Sequence, residues 1–427
     1  MHRRVFATAA LLCLTTTAAS AQGKKGKTPA APPKPPAPTF AFAIAQACDP
    51  LKPAARLPGQ PRAPRDSTLA AQFGTGNLAG VPADGNTSIR MIAQAGVPGN
   101  GVLGGVCMTA QDSMVQQVVA RTNFESFKTL LKELSQFGDR WAGNPIGPGN
   151  QPAVEWIDAK MKSWGYATDR LKYDFEGQPR EEVIATKVGK THPEEMFIIG
   201  GHMDGRGGGQ ATNDDGSGTI LVMEIARALS SPDIQTDRTI RFALWNNEET
   251  GLNGAKAYVD QRQLLQGIET PNGSGKYNEP KWLGMIQHDM LLWDHGNPPM
   301  AAQSLIADVN VEYQLNSAKA AESAQLGLVL INANRLFATN YPAQLSNAMS
   351  NTDTGPFQDL VASVSLRDGR RLYEMGRGSS PTYHQPSDAF LTFTDLDYRL
   401  GYNAVQTTLG ALGKLTNATI LVQKPQT

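Results

Sequence analysis

Three short apolar runs in the sequence are each followed by side chains that bind metal ions or carry protons. In chain order they are residues 196–200 followed by His202 and Asp204, residues 239–245 followed by Glu248 and Glu249, and residues 282–286 followed by Asp289. Imidazole nitrogens and carboxylate oxygens suit borderline divalent ions such as zinc. Taken singly, each group has an ordinary structural explanation, such as a rim histidine, a solvated helix start or a helix cap.

A fourth segment with acidic side chains argues against explaining each of these groups separately. The adjacent carboxylates Asp214 and Asp215 follow a glycine-rich loop, residues 205–209, at a predicted helix start. A helix N-terminus favours acidic side chains, so this pair alone would be unremarkable. Its occurrence beside the other groups indicates a metal site.

The elements that must position these side chains alternate along the chain. Strand-length apolar runs lie at 183–188, 196–200, 239–245 and 282–286, and apolar residues at helical spacing lie at 124–137, 153–164 and 219–229. This alternation predicts an α/β fold, a three-layer αβα arrangement whose mostly parallel central sheet is covered by helices on both faces. Ligands of such sheets bind outside the carboxyl ends of the strands, where the acidic and histidine side chains fall.

Five motifs in this order resemble those of the secreted zinc aminopeptidases, two-zinc peptidases related to plasma glutamate carboxypeptidase and glutaminyl cyclase. The motifs are His202-Met203-Asp204, Asn213-Asp214-Asp215-Gly216-Ser217-Gly218, Asn247-Glu248-Glu249-Thr250-Gly251, Asp289-Met290, and Tyr383-His384 with Asp388. The resemblance extends from about Phe124 to about Leu412. It implies the zinc-peptidase type of αβα fold and hydrolysis of peptide bonds near a chain end.

The resemblance also implies a ligand set for two zinc ions per chain. His202 and Asp289 would bind one ion, and Glu249 and His384 would bind the other. Asp214 would bridge the two. This donor set agrees with the preference of zinc for imidazole and carboxylate ligands.

Three further residues receive catalytic roles from the same resemblance. Glu248 would act as the general base, and Asp204 would orient the His202 imidazole from behind. Tyr383 would either stabilise the developing oxyanion or pack beside the metal. Because family members hold the peptide bond after the bridging aspartate in the cis form, a cis bond is expected between Asp214 and Asp215.

Five functions remain open at this level. An aminopeptidase is favoured, and a carboxypeptidase or a dipeptidase would use the same motifs. A glutaminyl cyclase works with one zinc ion, whereas this chain supplies ligands for two. A binding module that kept the fold and lost catalysis would usually lack some of the ligands found here.

The chain is predicted to have four segments. Residues 1–21 form a cleavable signal peptide, residues 22–40 a flexible tether rich in proline, lysine and alanine, residues 41–118 an irregular extension, and residues 119–427 the catalytic domain. Cleavage near Ala21 would export the protein to the periplasm or the extracellular space. In that oxidising compartment, a bridge between Cys48 and Cys107 is one of two open possibilities.

The composition of the chain limits the classes of binding partner that are expected. The 39 basic and 39 acidic residues give a formal net charge of zero, which provides no electrostatic footprint for nucleic acid. After the signal segment there is no uninterrupted apolar stretch of the roughly 18 residues that a membrane span requires. Peptide substrates are therefore the expected partners, without stable membrane insertion. The oligomeric state stays open.

Overall fold

The computed structural model describes residues 108–293, 309–338, 341–368 and 380–421. The expected signal segment and tether, and most of the 41–118 extension with its two cysteines, lie outside the described residues. Across the described ranges, no helix combines the length and the apolar character needed to cross a membrane.

An eight-stranded sheet forms the centre of the fold. Its strands are β1 (Thr168–Phe175), β2 (Gln178–Lys187), β3 (His192–His202), β5 (Arg238–Trp245), β6 (Lys281–His288), β7 (Val309–Glu312), β8 (Ala343–Ser346) and β9 (Ser363–Arg367). A separate antiparallel pair is made by β4 (Ile234–Gln235) and β10 (Thr419–Ile420). The sheet order is β1-β2-β5-β3-β6-β9-β7-β8.

The middle of the sheet is parallel. Strands β5, β3, β6 and β9 run parallel to one another, and β7 is parallel to β8. Antiparallel pairing occurs only towards the two edges, between β1 and β2, β2 and β5, and β9 and β7, within the described sheet. The buried strands β3, β5 and β6 are covered on both faces, which is why the sequence shows continuous apolar runs there.

Helices pack on both faces of the sheet. They are α1 (Ala110–Val119), α2 (Phe124–Ser135), α3 (Asn150–Ser163), α4 (Gly218–Leu229), α5 (Asn253–Arg262), α6 (Ala320–Phe337) and α7 (Asp395–Leu415). On one face, the ring of Trp245 in β5 lies 5.3 Å from that of Tyr258 in α5. On the other face, Tyr166 stacks edge-on against Phe242 of β5 and donates its hydroxyl to the Ala226 carbonyl of α4. The predicted three-layer αβα fold is confirmed.

One glycine lets α4 start directly behind the end of β3. A Cβ atom at Gly201 would lie 2.5 Å from the carbonyl carbon of Gly218, closer than real side chains approach. Because Gly201 has no side chain, the first turn of α4 can approach the residue just before His202. This close approach brings the acidic turn at the start of α4 next to the end of β3.

The N-terminal boundary differs from the expectation. Residues 110–119 form helix α1, so this part of the 41–118 segment is helical rather than irregular. A capping box between Thr109 and Asp112 starts the helix, and Lys414 of α7 forms an ion pair with Asp112. Helix α1 therefore packs on α7 as part of the same fold as the residues after 119. The prediction of an irregular segment was wrong for these residues. The helix is stabilised by its capping box and by packing, and it lacks the strong apolar stripe by which a helix is recognised in sequence.

Candidate active site

The site lies at the carboxyl ends of three neighbouring parallel strands. β3 ends at His202, the loop after β5 carries Glu248 and Glu249, and Asp289 follows the last residue of β6. Asp214 lies in the turn that leads into α4. Since parallel strands end at one edge of a sheet, residues far apart in sequence meet here.

Six of the predicted residues form two clusters. The potential ligand atoms of His202, Glu248 and Asp289 lie within 4.8 Å of one another, and so do those of Asp214, Glu249 and His384. His384 comes from a turn rather than from a strand end, and its Nε2 lies 3.0 Å from Oε2 of Glu249. All five predicted zinc ligands are thus brought together.

Asp214 belongs to the second cluster and also approaches His202 of the first. Its Oδ1 is 3.5 Å from Nε2 of His202, and its Oδ2 is 3.1 Å from Nε2 of His384. One carboxylate oxygen is therefore directed towards each cluster. This is the arrangement that a carboxylate bridging two cations requires.

The donor atoms fit a pair of cations. Oε1 of Glu249 is buried and has no hydrogen-bond partner in the described structure. Leaving a buried carboxylate oxygen unsatisfied costs free energy, whereas a bound divalent cation would satisfy it. Imidazole and carboxylate donors in this number match zinc.

The concentration of acids changes the proton affinity of the site. Burial raises the pKa of Glu249 to about 7, and the negative charge of Asp214 adds to the rise. Burial likewise raises the pKa of Glu248 well above its usual value. Although burial opposes it, hydrogen bonding to Asp214 and Glu249 raises the pKa of His384 to about 9. The clusters thus attract positive charge, either as protons or as metal ions.

Asp204 supports both clusters from behind. Its Oδ1 accepts the backbone N–H of Glu248 at 3.1 Å and lies 3.4 Å from Nδ1 of His202. Its Oδ2 accepts the backbone N–H of Glu249 at 3.3 Å. The contact with His202 agrees with the expected orienting role. The two backbone contacts were not foreseen, because they depend on how the loop after β5 folds back onto β3.

Two other buried acids hold the backbone around Asp214. The carboxylate of Asp388 accepts the N–H groups of Asn213 at 2.8 Å and Asp214 at 3.0 Å. The carboxylate of Asp215 accepts the N–H of His202 at 3.0 Å and that of Gly218 at 2.8 Å. The expected cis peptide bond between Asp214 and Asp215 is present.

Arg367 is a site residue that the sequence analysis missed. It is fully buried at the end of β9, and its guanidinium forms an ion pair with Oδ2 of Asp289. One oxygen of Asp289 therefore remains for a metal ion. The signal that could have found it is the strand-end rule, since residues 361–366 form a short run of apolar and small residues directly before Arg367.

Tyr383 lies beside the second cluster. Its ring stacks on that of His384, with 3.8 Å between the ring centroids, and it lines the same cleft. His288, the neighbour of Asp289, is directed elsewhere. Its ring nitrogens lie 2.9 Å from the Gly200 carbonyl oxygen and 2.9 Å from the Thr408 hydroxyl.

The clusters form the floor of an open cleft of about 200 Å³. Leu252, Met290 and Asn351 contribute to its wall. These three residues and the cleft residue His384 all have positive φ angles, between 49° and 63°. Non-glycine residues in this region are uncommon and concentrate at functional sites, where the surrounding structure holds them in place.

Comparisons with known proteins identify the family to which the sequence is similar. The sequence profile of peptidase family M28 matches residues 182–399, a range that includes every predicted site residue. Leupeptin-inactivating enzyme 1 of Streptomyces exfoliatus is 30% identical over 153 residues, which are 35% of this chain and 34% of that protein. Leucine aminopeptidase 2 of Arthroderma otae is 38% identical over 86 residues, 20% of this chain and 17% of that protein. The chain thus spans about a third or less of these relatives.

A solved structure shares the fold. The LapA aminopeptidase of Legionella pneumophila superposes with a TM-score of 0.56 at 17% identity, covering 73% of this chain and 76% of that one. At this sequence identity the match supports the fold alone. The chemistry has to be inferred from the residues of the site.

Proposed function

The chain belongs to peptidase family M28, and from the site that it builds we propose that it is an exported two-zinc aminopeptidase. The observation that carries the proposal is the pair of ligand clusters with Asp214 between them. Two cations held this way in a cleft of about 200 Å³ would provide for hydrolysis of a bond near a chain end.

We assign five residues to the zinc ions. His202 and Asp289 would hold one ion, Glu249 and His384 the other, and Asp214 both. Bound zinc polarises a peptide carbonyl as a Lewis acid and makes water a stronger nucleophile. The buried Oε1 of Glu249, which has no hydrogen-bond partner in the described structure, supports the assignment.

Glu248 is assigned as the general base. Its carboxylate lies with His202 and Asp289, at the position from which it can take a proton from the attacking water and deliver it to the leaving amine. Burial raises its pKa, which moves its proton affinity towards the range in which such a base works best. The hydrogen bond from its N–H to Asp204 fixes the backbone that carries it.

Tyr383 is assigned to the developing oxyanion. It lines the cleft and its ring is held against His384. A phenol in this position can donate its O–H to the carbonyl oxygen as negative charge builds on it. The packing contact is consistent with the alternative structural role as well, which a Tyr383→Phe variant tests by removing only the hydroxyl.

An N-terminal substrate residue suits the cleft best. Its volume of about 200 Å³ lies below the roughly 300–1,000 Å³ of sites for larger ligands. The acidic groups on the floor attract a free amine, and Leu252 and Met290 offer apolar contact to a side chain. The name of the matched leucine aminopeptidase is in keeping with this choice.

Export is proposed from the sequence pattern of residues 1–21 alone. Expression with the native N-terminus, followed by mass spectrometry of the secreted or periplasmic fraction, tests it. A mature chain beginning near Gln22 is expected. A chain that keeps residues 1–21 and stays in the cytoplasm would refute export without affecting the proposed activity.

The activity is tested with Leu-Ala-Ala-Ala in three forms: unblocked, N-acetylated and C-amidated. Release of leucine from the unblocked and amidated peptides, but not from the acetylated one, is expected, together with two zinc ions per chain by elemental analysis. Removal of alanine from the acetylated peptide would indicate a carboxypeptidase instead. Cyclisation of N-terminal glutamine would indicate a glutaminyl cyclase.

A matched control lies on the same strand. His192 begins β3 at the end opposite to His202 and is partly exposed. His202→Ala should lose zinc and activity, whereas His192→Ala should retain both. Equal losses in the two variants would attribute the effect to folding rather than to the metal site.

A further inference from the structure

The glycine-rich loop beside the cleft carries a single side chain. Residues 205–209 read Gly-Arg-Gly-Gly-Gly, and Arg206 is exposed and lines the cleft. Throughout the described ranges, no hydrogen bond or ion pair is formed by Arg206. A cation therefore borders the site without a partner among the described residues.

Buried Arg140 holds both ends of this loop. Its Nε donates to the Met203 carbonyl at 2.7 Å, its Nη1 to that of Gln210 at 2.5 Å and its Nη2 to that of Ala211 at 2.8 Å. The three bonds tie the residues before and after the loop to one guanidinium. The loop is thus fixed to the fold at its base.

Close packing fixes the backbone on each side of Arg206. A Cβ atom at Gly205 would lie 2.1 Å from Cβ of Ala211, and one at Gly207 would lie 2.6 Å from the carbonyl of His384. Gly207 also has a φ of +91°, a conformation that glycine adopts readily and other residues rarely. The backbone next to Arg206 consequently packs against the segment that carries His384.

The charge of Arg206 has no assignment in the proposed mechanism. Among the described residues, the other ionisable groups that line the cleft, apart from the Tyr383 phenol, are the five proposed zinc ligands and Glu248. A protonated substrate amine would be repelled by the guanidinium. An anionic group of the substrate would be attracted, and a carboxylate matches the paired donors of arginine.

We infer that Arg206 binds a carboxylate on the leaving residue of the substrate, so that dipeptides are preferred over longer or amidated peptides. The inference rests on the proposed function, because it assumes that the substrate amine lies at the acidic groups and the leaving residue lies near Arg206. The carboxylate can be the α-carboxylate of a dipeptide or the side chain of an acidic leaving residue. Both present the same chemistry one residue beyond the scissile bond.

Binding to a slow variant tests the inference independently of turnover. Zinc-loaded Glu248→Gln protein is titrated calorimetrically with Leu-Leu, Leu-Leu-amide, Leu-Glu-amide and Glu-Leu-amide, with and without Arg206→Gln. Leu-Leu is expected to bind at least about tenfold more tightly than Leu-Leu-amide, as for a hydrogen bond to a charged group. Arg206→Gln should remove that ratio, and Arg206→Lys should restore part of it.

The other ligands identify the source of the carboxylate. Tight, Arg206-dependent binding of Leu-Glu-amide would extend recognition to acidic side chains, whereas weak binding would restrict it to the α-carboxylate. Glu-Leu-amide carries its carboxylate on the N-terminal residue. Binding of this ligand that depends on Arg206 would contradict the assignment of Arg206 to the leaving residue. A Leu-Leu preference that survives Arg206→Gln would overturn the inference altogether.

A surface arginine serves as the control. Arg121 is exposed and pairs with Asp233, so Arg121→Gln removes one positive charge without touching the cleft and should keep the Leu-Leu preference. The proposed function is judged separately, from hydrolysis of Leu-Ala-Ala-Ala by the unmodified enzyme. Absence of hydrolysis of both Leu-Ala-Ala-Ala and Leu-Leu would refute the peptidase, while the calorimetric result would still decide the role of Arg206.

Discussion

The buried carboxylate of Asp204 accepts a hydrogen bond from the backbone N–H of Glu248 at 3.1 Å. Its second oxygen accepts the N–H of Glu249. Since Glu248 lies in one cluster and Glu249 in the other, a single acid holds the backbone of one residue from each cluster. Asp204 itself lies outside both clusters.

This arrangement predicts that Asp214→Asn and Asp204→Asn lose zinc and turnover to different extents. Asp214→Asn should release both zinc ions, because its carboxylate lies between the clusters. Asp204→Asn should keep most of the zinc and lower metal affinity or turnover by about 10- to 100-fold, as is typical for groups that support a ligand. Zinc per chain and kcat, measured on both variants in one buffer, check this. Similar metal contents in the two variants would contradict the bridging role.

Arg367 provides a second prediction, on stability. Arg367→Met would leave Asp289 buried without its ion-pair partner, which costs about 3 to 5 kcal/mol when a buried pair is broken from one side. Added zinc should recover part of the loss, because the ion would again neutralise Asp289. Urea unfolding with and without zinc measures both effects. Arg238→Met, which breaks the partly exposed pair with Glu195, is the control and should cost less than about 1 kcal/mol.

The third prediction concerns the pH dependence of helix α1. Burial alone would raise the pKa of Asp112, but hydrogen bonds from Lys414 and Thr109 outweigh it and lower the pKa below 3.8. An acid whose pKa is lowered by folding stabilises the protein above its unfolded pKa and loses that contribution as the pH falls through the folded value. Asp112→Asn should therefore destabilise the protein by about 1 kcal/mol or more near neutral pH, as loss of a helix cap does.

Thermal unfolding between neutral and acidic pH measures that difference. The gap between the parent and Asp112→Asn should be full above about pH 5 and should shrink once the pH drops below 3.8, the ordinary value for an aspartate. Glu125→Gln, an exposed acid in the first turn of α2, is the matched control. A gap that stays constant down to strongly acidic pH would exclude ionisation of Asp112 as its cause.

The sequence predicted the central layers of the fold well because the strands there are buried on both faces. Continuous apolar runs mark β3, β5 and β6, and the side chains after them are those that reach the cleft. The edge was not predicted. Strand β7 has only four residues and buries the polar side chains of Asn310 and Glu312, so its pattern differs from that of an ordinary apolar strand.

Some residues of the site could likewise be predicted from the sequence pattern, and others could not. His202, Glu248, Glu249 and Asp289 follow from the strand-end rule, whereas His384 lies in a turn without regular periodicity and was assigned only through the resemblance to a family. That family assignment is confirmed by the match over residues 182–399. The contacts of Asp204 with two backbone N–H groups depend on tertiary folding of a loop, and no local pattern encodes them.

The last prediction separates the base from the ligand in the adjacent pair Glu248 and Glu249. Glu248→Gln keeps the size and the hydrogen-bonding capacity of the side chain and removes its basicity. Both zinc ions should stay bound, and turnover should fall by at least the roughly 10² to 10⁴ that general acid–base catalysis contributes. Substrate affinity should change little, because the loss falls on the transition state.

Glu249→Gln should behave differently, since Glu249 lies with Asp214 and His384 in the second cluster. Zinc content and rate should fall together, and added zinc should restore part of the activity. Zinc per chain and turnover are therefore measured for both variants at several zinc concentrations. If Glu248→Gln lost metal while Glu249→Gln kept both ions and lost only rate, the two roles would be reversed. Near-normal rates in both variants would refute the whole assignment, because neither carboxylate would then take part in the reaction.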